Sequence, residues 1–351
     1  MCQPLPGSAR NFFQLARAAR KVAVIDLGFL GDTVHTLPAL RALRDFWPRA
    51  ELQVITAAHV VELLRLCPWI DRARGYPRFP KSPPLWQSLP LLLELRREKF
   101  DVTISFAAQD RAAWLTLATG APLRLGRVPF YPRHPHRQRP PLHWRLCFNH
   151  RAESPHRGMS AWRLHLRFLQ NAGLAVSAAR RFDVTVPADV ERRVDRLLGG
   201  QRGFMHLSPF TTADRREPQP ARLAAFLNQF HRQRPDMPLV ISTAPTAREA
   251  EKTRRLLALL DFTPWKIFAG ELDVAELAAV IARAKLHVGG DSGGIHVAQM
   301  MNTPVVCWFH ATLTDSAFLP DGPQDRVIFA ADGDDGFLDV SLSVLLENLP
   351  S

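Results

Sequence analysis

The stretch from Lys285 to Met301, KLHVGGDSGGIHVAQMM, gathers residues suited to an anion. An apolar strand runs into Gly289 and Gly290, then Asp291, Ser292, Gly293 and Gly294, and then His296 on a short helix. Glycines let the backbone turn sharply and approach a ligand closely, Asp291 or Ser292 can cap the helix, and the N–H groups of its first turn can face a phosphate. The pattern predicts a phosphate cradle with a nucleotide diphosphate as its ligand. Asp291 reads either as a helix cap or as a partner for a sugar hydroxyl, and His296 either as a buried structural group or as a proton carrier. A second loop, DLGFLGDTVHTLPAL (26–40), puts Gly28, Gly31 and Asp32 after an apolar strand, where open α/β sheets place their ligands. Asp32 there is equally readable as a base or a helix cap. The spacing is not GxGxxG and no acidic residue ends the next strand near Ile55, which disfavours a dinucleotide.

Those loops need strands and helices to hold them. VAVIDL (22–27) is a short continuous apolar run, as in a buried parallel strand, and a helix fits Thr36 to Phe46. Further strands are expected at 51–56 and 102–106, with a helix near 60–66, so the sheet should be parallel with helices on both faces. Pro129 to Pro155, rich in Pro, Arg and His, has no clean period and reads as a long loop. After a helix at 159–174 the alternation repeats, with strands at 204–210, 239–243, 267–270, 286–288 and 305–309. Helices are expected between them and at 339–349. Two Rossmann-like halves facing each other across a cleft are the architecture this pattern suggests.

The chain has 351 residues, 46% of them hydrophobic, enough for two cores. Its four cysteines are far apart with no CxxC, which fits free thiols in a reducing cytoplasm better than disulfides or zinc. The formal charge of +12 is concentrated in 124–167, where ten arginines and six histidines lie. Such a field attracts polyanions without specifying which, and a solvated loop explains it as well. No apolar run reaches the roughly 18–20 residues of a membrane span. Residues 9–21 (ARNFFQLARAARK) could form a basic amphipathic helix, packed on a domain or touching the inner membrane face. Asp332-Gly333-Asp334 matches a metal-holding DxD pattern but reads as a turn, so no metal site is expected.

GFLGDTVHTLPALRALRDFWPRAEL (28–52) resembles the amino-terminal signature of the lipopolysaccharide heptosyltransferases, glycosyltransferase family 9. ELAAVIARAKLHVGGDSGGIHVAQMMNTPVV (276–306) resembles, separately, the ELA…VGxDTGxxHxA…PVV block of that family, with Ser292 in place of threonine. The resemblance implies an α/β GT-B fold. It implies an acceptor-binding domain over 1–187, a nucleotide-sugar-binding domain over 188–330, and a tail and helix (331–351) packing back on the first domain. It also implies an inverting, metal-independent enzyme, without cofactor, that moves heptose from ADP-heptose to an acidic lipopolysaccharide-core acceptor, with nucleic acid an unlikely partner. By resemblance Asp32 is the general base. Arg215, Asp291, Ser292, Gly293, Gly294, His296, Glu249 and Glu271 fall on the nucleotide-sugar side, and Gly28, Gly31, Arg124 and Arg127 on the acceptor side. Departures from the family pattern are Asp26 for Lys or Arg, Gly28 for serine, Glu217 for tryptophan and His310-Ala311-Thr312 for a glycine-proline-threonine run. Other readings are a family member with another nucleotide sugar or a protein acceptor, a nucleotide-sugar epimerase, and a non-catalytic anion or nucleic-acid binder.

Overall fold

The computed structural model describes residues 11–77, 84–130, 142–155, 158–177, 179–211, 214, 217–314, 316–331 and 336–348. The chain divides into two compact units, Met1–Thr185 and Val186–Ser351.

In the first unit α1 (Phe12–Leu15), β1 (Lys21–Asp26), α2 (Leu30–Phe46), β2 (Glu51–Ala57), α3 (Val61–Leu64) and β3 (Arg72–Tyr76) come first. They are followed by α4 (Leu89–Arg97), β4 (Val102–Ser105), α5 (Asp110–Thr119), β5 (Leu123–Phe130), α6 (Trp144–Cys147), β6 (His150–Pro155) and α7 (Ala161–Asn171). The six strands are parallel in the order β3-β2-β1-β4-β5-β6. Ala23, Ile25 and Leu27 of the β1 segment join Leu95, Ala112 and Leu115 of α4 and α5 in one apolar layer. The alternate positions Val22 and Val24 are buried as well, so β1 is covered on both faces and reads as a continuous apolar run.

Two expectations change here. The helix expected from Thr36 begins at Leu30, so the glycine turn is already its first turn, and Pro38 lies inside it. Asp32, third in the helix, explains the early start: its Oδ2 accepts the Phe29 N–H at 2.7 Å, which satisfies a donor that the helix leaves open. The expected loop over 129–155 contains part of β5, α6 and β6, and β5 and β6 pair in parallel from Leu125↔His150 to Phe130↔Pro155. Of residues 9–21, those from 11 on are described, and the segment packs on its own unit with Leu15 left exposed. Phe12 and Phe13 are buried, with Phe13 against Phe46 and Trp47, and Phe12 against His150. The Trp47 indole N–H also donates to the Ala16 carbonyl at 2.9 Å. The domain-packed reading holds for these residues.

The second unit contains α8 (Ala188–Leu197), β7 (Met205–Ser208), α9 (Pro220–Gln233), β8 (Leu239–Thr243), α10 (Ala247–Leu257) and β9 (Lys266–Ala269). It continues with α11 (Val274–Arg283), β10 (Leu286–Gly290), α12 (Gly293–Met300), β11 (Val305–His310), β12 (Arg326–Ala330) and α13 (Phe337–Asn348). Its parallel order, β12-β11-β10-β7-β8-β9, is that of the first sheet read from the other end. The last helix packs on its own unit: Leu338, Leu342 and Leu345 enter the core with Leu223 and Phe226 of α9 and Val306 and Trp308 of β11. Each such burial contributes about 2 kcal/mol. On the other face α8 is fixed to α11 by the buried Arg283, whose guanidinium bonds Glu191 and Asp195.

Candidate active site

In both sheets the strand order reverses at one place, between β1 and β4 and between β10 and β7. At such a switch point the loops leaving the two central strands part and open a crevice at the carboxyl ends. Both motifs lie there, one following β1 and the other following β10.

In the second unit the glycines answer to close packing. A Cβ on Gly289 would stand 2.8 Å from the Ser208 carbonyl, and one on Gly290 2.7 Å from the Trp308 indole nitrogen. On Gly294 it would stand 2.9 Å from Ser208 Oγ and 3.0 Å from the His287 ring. The start of α12 is therefore seated directly on β7 and β10. Ser292 is its N-cap residue, in extended conformation, and its own side chain makes no cap hydrogen bond. The first-turn N–H groups of this eight-residue helix lie at the positive end of its dipole. Asp291, Ser292 and Gly293 are partly exposed beside them, and Gly294 is buried.

Beneath this terminus lies a polar chain that the sequence did not reveal. His206 and His287 are register partners on β7 and β10, and their Nδ1 atoms are 2.8 Å apart. His206 Nε2 is in turn 2.9 Å from the Ser242 hydroxyl of β8. Burial pushes His206 down to about 3 and His287 well below the usual imidazole range, so both rings are neutral and one Nδ1 donates to the other. His296 is likewise buried and held neutral at about 4, with its ring edge-on to Phe318. It belongs to the packing under the cradle.

Glu249 stands in the first turn of α10, where the Thr246 hydroxyl accepts its N–H at 3.2 Å and its own carboxylate accepts the Ala244 N–H at 2.7 Å. It serves the start of α10, tying the preceding turn to the helix, and burial raises its pKa. Glu271 is exposed after β9, on the edge strand farthest from β10 on that side. Arg215 and Asp332-Gly333-Asp334 lie outside the described residues. Beside Arg215 in sequence, Glu217 replaces the tryptophan of the family pattern with an ionic clamp. Its buried carboxylate bonds Arg248 Nη2 at 2.6 Å and Lys252, and accepts the Thr211 N–H at 2.8 Å. Asp214 bonds the same two cations, which hold its carboxyl down at about 2. The segment after β7 is thus tied at both ends of 211–217 to α10.

In the first unit Asp26 ends β1, 4% exposed, with Oδ1 accepting the Gly28 N–H at 3.2 Å. Burial first, then the charge of Asp32, raise its pKa to about 6 against the pull of Thr36, Gly28 and Thr33. Asp32, partly exposed, is fixed through Oδ2 by Phe29. Gly28 is necessary to that placement, since a Cβ there would stand 2.3 Å from Asp32 Cβ. Gly31 is buried in the first turn of α2. The Thr36 hydroxyl bonds the Asp32 carbonyl at 3.0 Å and lies 3.5 Å from His165 Nε2 on α7. His165 is kept neutral by burial and by Arg127, and its ring is edge-on to Phe106. Arg127 reaches the Phe106 carbonyl at 3.4 Å, which puts it at the carboxyl edge of β4 beside this group. Arg124 is engaged elsewhere, with Nε and Nη1 donating to the Cys147 and Ala121 carbonyls at 2.8 and 2.7 Å, and Nη2 to Leu146 at 3.3 Å. That guanidinium holds α6 to β5 and is not part of the Asp26–Asp32–Arg127 group.

Two parallel units of Rossmann strand order, each with its loop at the switch point, define an α/β protein of GT-B fold. A model of Glycosyltransferase family 9 (heptosyltransferase) matches residues 89–329, and the chain belongs to that family; it is a glycosyltransferase. It is similar to the lipopolysaccharide core heptosyltransferase OpsX of Haemophilus influenzae, 24% identical over 297 residues covering 82% of this chain and 78% of that protein. In fold it is similar to the family 9 glycosyl transferase of Veillonella parvula, with a TM-score of 0.75 at 16% identity, over 95% and 90% of the two chains. It is similar also to the E. coli heptosyltransferase WaaC solved with ADP-2-deoxy-2-fluoro heptose, with a TM-score of 0.73 at 15% identity, over 94% and 100%.

Proposed function

We propose that the protein transfers heptose from ADP-heptose to a lipopolysaccharide-core acceptor, with inversion at the anomeric carbon and without a metal. The observation that carries the donor side is the first turn of α12 at the switch point of its sheet, with glycines seated on β7 and β10 and no cap from the Ser292 side chain. The relatives support the choice of sugar, since one is named a lipopolysaccharide core heptosyltransferase and a structure of another holds an ADP-heptose analogue.

In this reading the diphosphate lies against the N–H groups of Gly293 and Gly294. The helix terminus contributes up to about 2 kcal/mol and a charge-assisted bond from Arg215 about 1.5–3 kcal/mol. Both are directed at charge that grows as the nucleoside diphosphate leaves. The acceptor hydroxyl is deprotonated by Asp32, and its oxygen attacks the anomeric carbon from the side opposite the leaving group. The hydrogen bond from Phe29 fixes the Asp32 carboxylate against rotation. Arg127 serves the anionic groups of the acceptor.

Calorimetric titration with ADP-heptose, ADP, UDP and GDP in the presence of chelator, on the wild type and Arg215→Ala, tests the donor side. Binding that prefers ADP-linked ligands and weakens by about tenfold or more in the variant is the expected result. No binding of any nucleotide would overturn the reading. Asp32→Asn should then retain donor binding and lose transfer.

A further inference from the structure

The geometry points to the face made by α6 and the outer side of α5 as a docking surface for an anionic lipid bilayer. This inference does not rest on the proposed reaction. α6 is apolar on both sides. Inward, Trp144, Cys147 and Phe148 form a small core with Ala113 of α5. Outward, Leu142 and Leu146, one turn apart, are 75% and 67% exposed, the two most exposed large apolar side chains among the described residues. Trp114 of α5 continues the patch at 37% exposed, its ring stacked on His143 at 5.5 Å with an interplanar angle of 6°. Three large apolar groups gathered in one place differ from single exposed residues, which are ordinary on a protein surface.

What surrounds them selects the partner. Arg145 stands exposed between the two leucines, and Arg151 lies close enough for the two guanidinium groups to repel. Asp110, on the same face, accepts from the Trp144 indole N–H at 2.7 Å and lies 2.9 Å from His143 Nε2, which holds it against α6. Leucine and tryptophan tips within a cationic border match the layered chemistry of a bilayer surface, with anionic headgroups above acyl chains. Stable peripheral binding takes both signals together, apolar insertion and cationic attraction. No helix among the described residues is long and apolar enough to cross a membrane, so this contact would be made at the surface. The other candidate for such contact, residues 9–21, has its phenylalanines in the core.

Flotation of the full chain with vesicles of phosphatidylcholine alone, and of equimolar phosphatidylcholine and phosphatidylglycerol, tests the surface without donor or acceptor. The wild type should float with the anionic vesicles only, and less so as salt rises. Leu142→Ser with Leu146→Ser, and separately Arg145→Glu, should each lower partition by about tenfold, with unchanged circular dichroism because all three side chains point to solvent. Equal flotation with both vesicles, none with either, or full binding by the leucine double variant would overturn the proposal. So would a wild-type dimer in light scattering that the leucine double variant turns into a monomer, since the patch would then be an interface between two copies.

Discussion

Replacing Asp26 by asparagine should stabilise the first unit, and the gain should depend on pH. In the native state the Asp26 carboxyl holds its proton up to about 6, against 3.8 for an ordinary carboxyl, chiefly because it is buried and then because Asp32 is near. A native pKa above the unfolded one means that the folded chain binds the extra proton between those values. Stability therefore falls as pH rises through that window, and the full loss is present above about 6. At 1.36 kcal/mol per pKa unit the penalty is about 3 kcal/mol near neutrality and vanishes below about 4. Asparagine keeps the oxygen that accepts the Gly28 N–H, and its amide lies beside the Thr33 and Thr36 hydroxyls. Urea unfolding of both proteins at several pH values gives the comparison. It is made on transition midpoints, because a chain with two compact units need not unfold in one step. The variant should gain about 2–3 kcal/mol at pH 7.5 in the transition that it moves, and nothing near pH 4. A difference that does not vary with pH, or a loss at pH 7.5, would show that the carboxyl is not ionised against a burial penalty.

Two further substitutions separate placement from packing. Gly28→Ala should displace Asp32, since the new methyl would meet its Cβ at 2.3 Å, costing about 1–3 kcal/mol of stability and most of the transfer activity while calorimetry shows donor affinity unchanged. Activity retained in that variant would refute the assignment of Asp32. Glu217→Ala leaves Arg248 and Lys252 with the exposed Asp214 as their shared carboxylate and should lower stability by about 2 kcal/mol and weaken nucleotide binding through the loop it ties down. Unchanged thermal unfolding and unchanged nucleotide affinity would together remove the clamp.

How much was legible in the chain varied with how local the signal was. β1, β2 and β10 are apolar runs buried on both faces, and the cradle is written in glycines whose packing needs are local, so both could be read directly. β5 and β6 were hidden because Arg124, Arg127 and Arg151 interrupt the apolar pattern, yet on the outer strands of the sheet those side chains can turn to carbonyls or solvent. The start of α2 was hidden because Gly31 and Pro38 are breakers elsewhere, whereas near a helix start glycine and a capping aspartate are compatible with the turn. His165, His206 and His287 gave no local signal. Strand register and helix packing put them at the sites, and only the alternation Met-His-Leu against Leu-His-Val, paired across β7 and β10, could have linked two of them.

The shared strand order also has a consequence for assembly. Each central pairing, Val22 with Val102 and Met205 with Leu286, joins segments about eighty residues apart, while the other neighbours within each half are much closer in sequence. Half-sheets β1-β2-β3 and β7-β8-β9 can therefore form first, and the crevice exists only once the second half has docked on the first strand. A nascent chain that stops between β3 and β4 carries Asp32 without a completed switch point in the first sheet, and one that stops between β9 and β10 carries the Glu249 segment without one in the second. Ligand binding is then a report on finished assembly, and a nucleotide that favours the docked state of the second unit would act on the late folding step rather than on the early one.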